Sequence, residues 1–186
     1  MLYVYTTEDG LPYTAEDGTL LVVGLPSTVI DGLITDRTLS DVESVRALTS
    51  AIKAGTATAE QVSQYVNVLQ KGAYTYRDLN RVEEAVQYVA ERLREFGYLS
   101  SLPTLQSWSV EDKPNAASFA RYFGNVKMLR DAIAVWGSTP EAPNGVAGFD
   151  YNKANDLEQI LVDVDQILTH ISQAWFYSGD LYLAEV

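Results

Sequence analysis

The sequence lacks cysteine entirely and contains a single histidine, His170, among its 186 residues. The absence of cysteine excludes disulfide bonds, thiolate catalysis and cysteine-ligated zinc sites. A lone histidine has no second imidazole with which to share a metal ion, and no GxSxG elbow supplies a serine nucleophile, so His170 is predicted to be structural. There is also no GxGxxG or Walker sequence. The sequence therefore predicts no cofactor, no metal and no nucleotide.

Basic residues are scarce as well. The chain has 13 lysines and arginines against 25 acidic residues, which gives a net charge of −12. An acidic surface repels phosphate groups, so nucleic acid and anionic membranes are disfavoured as partners. The first ten residues have no basic region ahead of an apolar run, so no signal peptide is expected, and no apolar run is long enough to cross a bilayer. Hydrophobic residues make up 47% of the whole chain, a fraction typical of a protein with a packed core.

Three stretches of the chain share one pattern, in which large apolar residues recur three or four positions apart. They are Leu79, Val82, Val86, Val89, Leu93 and Phe96; Phe119, Tyr122, Val126, Leu129, Ile133 and Trp136; and Ala154, Leu157, Leu161, Val164, Leu168 and Ile171. This spacing is typical of amphipathic helices that bury one stripe, and it predicts a three-helix bundle. The predicted helices run from a Thr75 cap to Gly97, from an Asn115 cap to Gly137, and from Asp150 or Asn152 to Ser178-Gly179.

The chain before the bundle is predicted to contain a helical hairpin over residues 36–73. Its first helix begins at Asp36 or Thr38 and ends at Gly55, because glycine terminates helices readily. Thr58 caps the second helix, with Gln61 completing a capping box. The predicted buried face of that helix is Val62, Tyr65, Val66 and Leu69.

Residues 1–35 are predicted to be β or irregular, with strands at Leu2–Thr6 and Thr19–Val23 and a weaker one at Val29–Ile34. Asp9-Gly10 and Asp17-Gly18 are turn signals. The tail Leu181–Val186 alternates like a strand that could pair with them. The predicted fold class is therefore mainly α: a three-helix bundle preceded by a short helical hairpin, with a small N-terminal β-hairpin-like portion. The predicted units are 1–35, 36–73 and 74–186, with 36–186 as one compact unit.

Paired carboxylates are the features of the sequence that most resemble an enzyme. Asp163 and Asp165 lie two positions apart in the third helix and should point to different faces of it. Glu83 and Glu84 are predicted on the solvated side of the first helix. Solvated faces and pairs such as Arg81–Glu84 explain these residues more simply than a carboxylate-based hydrolase, which requires two acids across a cleft. The hydrolase is kept as an alternative of lower rank.

Tyrosine is abundant, with 12 residues against five phenylalanines. Flat amphipathic rings can bind glycans or proteins at low entropic cost. Five tyrosines fall near predicted helix ends and are the candidate interface residues: Tyr74, Tyr76, Tyr98, Tyr151 and Tyr177. They favour, as an alternative function, a surface-binding module that recognises a host glycan or protein.

Several runs together resemble a known module: DRTLSDVESVRALTS, KGAYTYRDLNRVEEAVQYVAERLREFGY, and EDKPNAASFARYFGNVKMLRDAI after a tryptophan. The chain from about residue 36 to its end is similar to helical modules of virion proteins from tailed phages and prophages of Gram-positive gut bacteria. The most specific pieces are Asp78-Leu79-Asn80-Arg81-Val82-Glu83, and Asn125-Val126 ahead of Leu129-Arg130. Ala120 stands where the family pattern often has asparagine, so the second unit is less typical.

The resemblance implies a non-enzymatic structural protein of the tail, baseplate or appendage. The implied partners are other virion proteins or further copies of the chain, as expected of closed symmetric assemblies. The implied location is the virion, or the cytoplasm of the bacterial host before assembly. The resemblance assigns no catalytic residue.

Overall fold

The computed structural model describes residues 2–4, 22–24, 28–67 and 71–183, with side chains over 29–65 and 71–174. Within those ranges the chain is mainly helical, which confirms the predicted class. The helices are α1 (Thr28–Asp31), α2 (Leu39–Lys53), α3 (Ala59–Asn67), α4 (Tyr76–Glu95), α5 (Ala116–Asp131) and α6 (Tyr151–Leu183). Two three-residue strands, β1 (Leu2–Val4) and β2 (Val22–Gly24), pair antiparallel with Tyr3 opposite Val23.

Helix α4 begins and ends where the sequence predicted. Thr75 caps it with a capping box, since its side chain accepts a hydrogen bond from the Arg77 amide and its own amide donates to Asp78 Oδ2 at 2.7 Å. Gly97 follows the last turn at φ +78°, a conformation that favours glycine, and the Tyr98 amide donates to the Leu93 carbonyl at 2.8 Å. Both ends of the helix therefore follow from local sequence chemistry.

The core lies between α4, α5 and α6, and the predicted stripes form most of it. The residues of the stripes that are buried are Leu79, Val82, Val86, Val89 and Leu93; Tyr122, Val126 and Leu129; and Ala154, Leu157, Leu161, Val164 and Leu168. Phe96, Phe119 and Ile133 are half-buried against the same core. The three-helix packing predicted from the spacing is confirmed.

The helices of the bundle run in the same direction. Arg81, near the start of α4, contacts Glu158 near the start of α6, whereas Arg92 near the end of α4 contacts Asp165 and Thr169 farther along α6. Helix α5 is parallel to α6 as well. The ring centre of Phe123, in α5, lies 5.4 Å from that of Phe149, just before α6. Trp136, beyond the end of α5, packs against His170 farther along α6.

The parallel arrangement explains two long connections, which we call the first return connection (residues 96–115) and the second return connection (residues 132–150). A chain that leaves the end of one helix must return about 30 Å, the length of α4, before the next parallel helix can begin. Roughly 20 residues can span twice that distance when extended, so each connection has length to spare for packing on the bundle. Trp108 and Ala142, one from each connection, are buried in the core.

Helix α5 ends earlier than predicted. It stops at Asp131 with Ala132 as C-cap, so Ile133 and Trp136 lie outside the helix and the prediction of a helix to Gly137 was wrong. Trp136 is 38% exposed instead of belonging to the stripe. The apolar spacing continues past the helix because Ile133 packs on the same core from a non-helical segment.

Helices α2 and α3 form an arm beside the bundle. Both ends of α2 and the start of α3 agree with prediction. Helix α3 is described to Asn67, and residues 68–70, ahead of the predicted stop at Gly72, lie outside the described residues. Thr38 caps α2 and Thr58 makes the predicted pair with Gln61. The predicted buried face of α3 is wrong at Val62 and Tyr65, which are 38% and 37% exposed; the side chain of Val66 and all of Leu69 lie outside the described residues. Helix α2 contains no buried residue.

Of the predictions for residues 1–35, one is wrong and another lies outside the described residues. The weak strand at Val29–Ile34 was wrong, because residues 28–31 form α1 and Ile30 is buried in the bundle core. Residues 28–31 are helical because packing Ile30 against α4 and α6 outweighs the local β propensity of this segment. The two Asp-Gly turns lie outside the described residues, so the hairpin-like portion stays a prediction.

Helix α6 is longer than predicted. It continues past Gly179 to Leu183, so the predicted strand at Leu181–Val186 was wrong for residues 181–183, and 184–186 lie outside the described residues. Extending an established helix fixes one residue for each hydrogen bond gained, which outweighs a short alternating pattern.

Candidate functional site

Four charged side chains meet in the interior at the start of the bundle, and we call them the charged cluster: Arg37, Asp78, Arg81 and Glu158. Arg37 Nη2 donates to Glu158 Oε1 at 2.6 Å and to Asp78 Oδ1 at 3.2 Å. Arg81 Nη2 binds the same two oxygens at 2.8 and 2.7 Å. Asp78 and Glu158 are fully buried and Arg37 is 4% exposed. Two cations and two anions balance, as a buried ionic group requires.

Backbone groups complete the charged cluster. The Ile34 amide donates to Glu158 Oε2 at 2.6 Å, and Arg37 Nη1 donates to the Ile34 carbonyl at 2.6 Å. Asn155 exchanges hydrogen bonds of 3.0 Å with both the amide and the carbonyl of Arg37. These contacts fix residues 34–37 against α4 and α6, so the cluster joins three parts of the chain.

A third buried carboxylate, Glu83, joins α4 to α5. Its oxygens accept from Arg121 at 2.5 and 3.2 Å, and its Oε1 also accepts from the Trp108 indole at 3.3 Å. The Arg121 guanidinium carbon lies 5.9 Å from the centre of the Trp108 ring. Glu83 is 5% exposed, so the prediction that it faces solvent was wrong.

Two asparagines attach the first return connection to the bundle. Asn80 donates to the Trp108 carbonyl and accepts from the Trp108 amide, both at 2.8 Å. Asn125 donates to the Thr104 carbonyl at 2.9 Å, as does Arg121 Nη1 at the same distance. Two side-chain amides thus bond to backbone groups of the connection and hold it against the bundle.

Asp163 and Asp165, two of the carboxylates singled out in the sequence, make internal contacts. Asp163 accepts from Thr139 Oγ1 at 2.6 Å, while Asp165 pairs with Arg92, so they face different neighbours as predicted. Both are buried, which the prediction of solvated faces missed. Burial raises the pKa of Asp165 even though Arg92 lowers it. The predicted Arg81–Glu84 pair was wrong, because Arg81 pairs with the charged cluster instead.

Glu84 lines a groove of about 300 Å³ between α4 and the first return connection. Glu83 lines the same groove with both its oxygens already bonded to Arg121. The remaining wall is made by side chains such as Gln87 and Gln106. The amides of Gln87 and Gln106 and the exposed carboxylate of Glu84 can form hydrogen bonds with a molecule in the groove. Glu83 has a structural role instead, because both its oxygens are bonded to Arg121.

The candidate interface tyrosines do not form one patch. Because the bundle helices are parallel, Tyr74, Tyr76 and Tyr151 lie at its start and Tyr98 at its far end, 40% exposed. The Tyr74 hydroxyl lies 2.6 Å from that of buried Tyr122, so a surface contact through this hydroxyl does not fit. An interface role for the other three stays a prediction, and the side chain of Tyr177 lies outside the described residues.

The buried tyrosine pair predicts loss of stability at alkaline pH. Burial raises the pKa of Tyr122 and of Tyr74 well above the usual range. Tyrosines of the unfolded chain release protons near pH 10, whereas these two stay protonated in the folded state. Their contribution is therefore complete below about pH 10, and stability falls above it by about 1.4 kcal/mol per pH unit for each tyrosine.

Tyr122→Phe should remove one tyrosine's share of that slope. The measurement is the free energy of unfolding in urea at several values between about pH 8 and 11. Tyr98→Phe, the same change at an exposed ring, is the control and should keep the full slope. Equal slopes for Tyr122→Phe and the parent protein would contradict the prediction.

His170 is exposed, and its ring centre lies 6.0 Å from that of Trp136. Among the described residues there is no group of three or more histidine, aspartate or glutamate side chains arranged to hold a metal ion. None of the helices in the described ranges is both long and apolar enough to cross a bilayer.

Comparison of the chain with protein-family models, with curated proteins and with solved structures finds no match.

Proposed function

We propose that this protein is a non-enzymatic structural component of a tailed-phage or prophage virion, with an assembly role in or near the tail. The observation that carries the proposal is what the residues of the resemblance do. Asp78 and Arg81 belong to the charged cluster, Asn80 attaches the first return connection, and Glu83 binds Arg121. The sequence pieces that resemble a virion module are thus ones that connect parts of this fold.

The second piece of the resemblance, which includes Asn125 and Arg130, also connects parts of the fold. Asn125 fixes the first return connection at Thr104, and Arg130 donates to the Pro140 carbonyl at 2.7 Å in the second connection. Side chains that hold both return connections favour a rigid building block. Rigid subunits suit closed assemblies, because contacts between copies must repeat with one geometry.

The proposal is tested on particles produced by the bacterium that encodes the chain. We expect the protein to co-sediment with purified virions at a constant ratio to known tail proteins, measured by quantitative mass spectrometry. Deleting its gene should reduce the number of complete tails seen by electron microscopy, and expression from a plasmid should restore them. Recovery of the protein only from the cell extract, with normal particles after deletion, would contradict the proposal.

A further inference from the structure

A cavity of about 320 Å³ opens at the start of the bundle, between α2, the segment before α4 and the beginning of α6. The larger side chains of its apolar wall are three aromatic rings and two aliphatic groups: Tyr74, Phe149, Tyr151, Leu39 and Val42. The Tyr74 and Phe149 rings meet edge to face, with centres 5.1 Å apart. The volume is at the lower end of the range for small-molecule pockets, about 300–1,000 Å³, so one ring with a short side chain fits.

Arg37, one of the residues that line the cavity, also has a buried donor without an acceptor. Its Nε is the buried side-chain polar atom of the described residues that has no hydrogen-bond partner. Its Nη atoms are fully used by Ile34, Asp78 and Glu158. An unmet donor in the interior is costly and uncommon in native proteins, and a ligand acceptor is one way to satisfy it.

The electrostatics of the cavity favour an anion. Arg46 lines it, is exposed, and forms no ion pair with a described residue, so its charge is uncompensated, unlike that of Arg37. The first turns of α2 and α6 contribute Leu39 and Tyr151 to the wall, and the positive ends of both helices are already capped by carboxylates, Asp41 on α2 and Asp150 on α6. Asp150 is the opposing carboxylate, and it accepts from the Lys153 amide at 3.1 Å as part of the cap of α6.

We propose that this cavity binds a small aromatic carboxylate. The ring of the ligand packs against Tyr74, Phe149 and Tyr151, and its carboxylate lies toward Arg46 and Arg37, the two arginines that line the cavity. The apolar wall supplies contact area and the cations discriminate the charged acid from neutral analogues. This binding does not depend on an assembly role, since it uses only the interior of one chain.

The test is a titration of the full ¹⁵N-labelled chain with 3-phenylpropionate, followed by NMR. We expect saturable shifts confined to residues around the cavity, including the Arg37 Nε resonance, with a Kd of about 1 mM or tighter for a ligand of this size. The neutral 3-phenylpropanamide should bind about tenfold more weakly, because it keeps the ring and loses the charge.

Two arginine variants separate the cavity from general surface charge. Arg46→Gln should weaken 3-phenylpropionate binding about tenfold and leave amide binding unchanged. Arg94→Gln, an exposed arginine in the last turn of α4, is the matched control and should change neither. The proposal is overturned if acid and amide bind equally, if both variants have the same effect, or if no saturable shifts occur at the cavity up to about 10 mM acid.

Discussion

Replacing Glu158 by glutamine is expected to lower the free energy of unfolding by about 3–5 kcal/mol. Glu158 is fully buried and accepts from Arg37, Arg81 and the Ile34 amide. Glutamine keeps the size but removes the negative charge, which leaves two arginines sharing the single carboxylate of Asp78. Breaking a buried ion pair on one side is costly because the remaining charge stays away from water.

The measurement is urea unfolding at neutral pH, with Glu84→Gln as control. Glu84 is exposed on the same bundle, so the identical chemical change there should alter stability by less than about 0.5 kcal/mol. A loss at Glu158 no larger than at Glu84 would show that the charged cluster is solvated in the native state. An unchanged m-value would confirm that the variants differ in stability and not in the extent of unfolding.

The helical stripes could be predicted from the sequence because local spacing and burial agree. Thr75, Asn115 and Gly97 marked helix ends through short-range hydrogen bonds, and the structure places them there. The direction of the helices could not be predicted in this way. A stripe repeated every three or four residues is the same for parallel and antiparallel neighbours, so only the connection lengths contained that information.

The buried charges were missed for a different reason. Glu83 lies four positions after Leu79, and Glu158 four positions after Ala154, so both fall on the apolar stripes. A charged residue within a stripe is a signal for a buried partner, because an isolated charge would not be tolerated there. The sequence still could not identify the partners, since Glu158 and Arg37 are 121 positions apart.

The exposure of the arm formed by α2 and α3, and the presence of the cavity, could not be predicted from local sequence patterns either. Val62 and Tyr65 have the spacing of a buried helical face, yet they are partly open to solvent. Gly72 lies so close to α2 that an added Cβ would be 2.0 Å from the Asp41 carbonyl oxygen. That approach brings α2 beside Tyr74 and closes one wall of the cavity, a contact that depends on tertiary packing alone.

Replacing Trp108 by alanine is expected to destabilise the protein by about 3–5 kcal/mol. Trp108 is 5% exposed, although it lies in the first return connection and in no regular element. Its indole donates to Glu83 and lies beside Arg121. Alanine keeps the two backbone hydrogen bonds to Asn80, so the loss reports the side chain specifically.

Val110→Ala is the control for this variant, because Val110 belongs to the same connection and is 79% exposed. Its effect should stay within about 0.5 kcal/mol. If the parallel bundle needs its return connection as part of the core, the two variants must differ by several kcal/mol in urea unfolding. Similar small losses would mean that residues 96–115 only link the helices, and the bundle would then owe its stability to the three stripes alone.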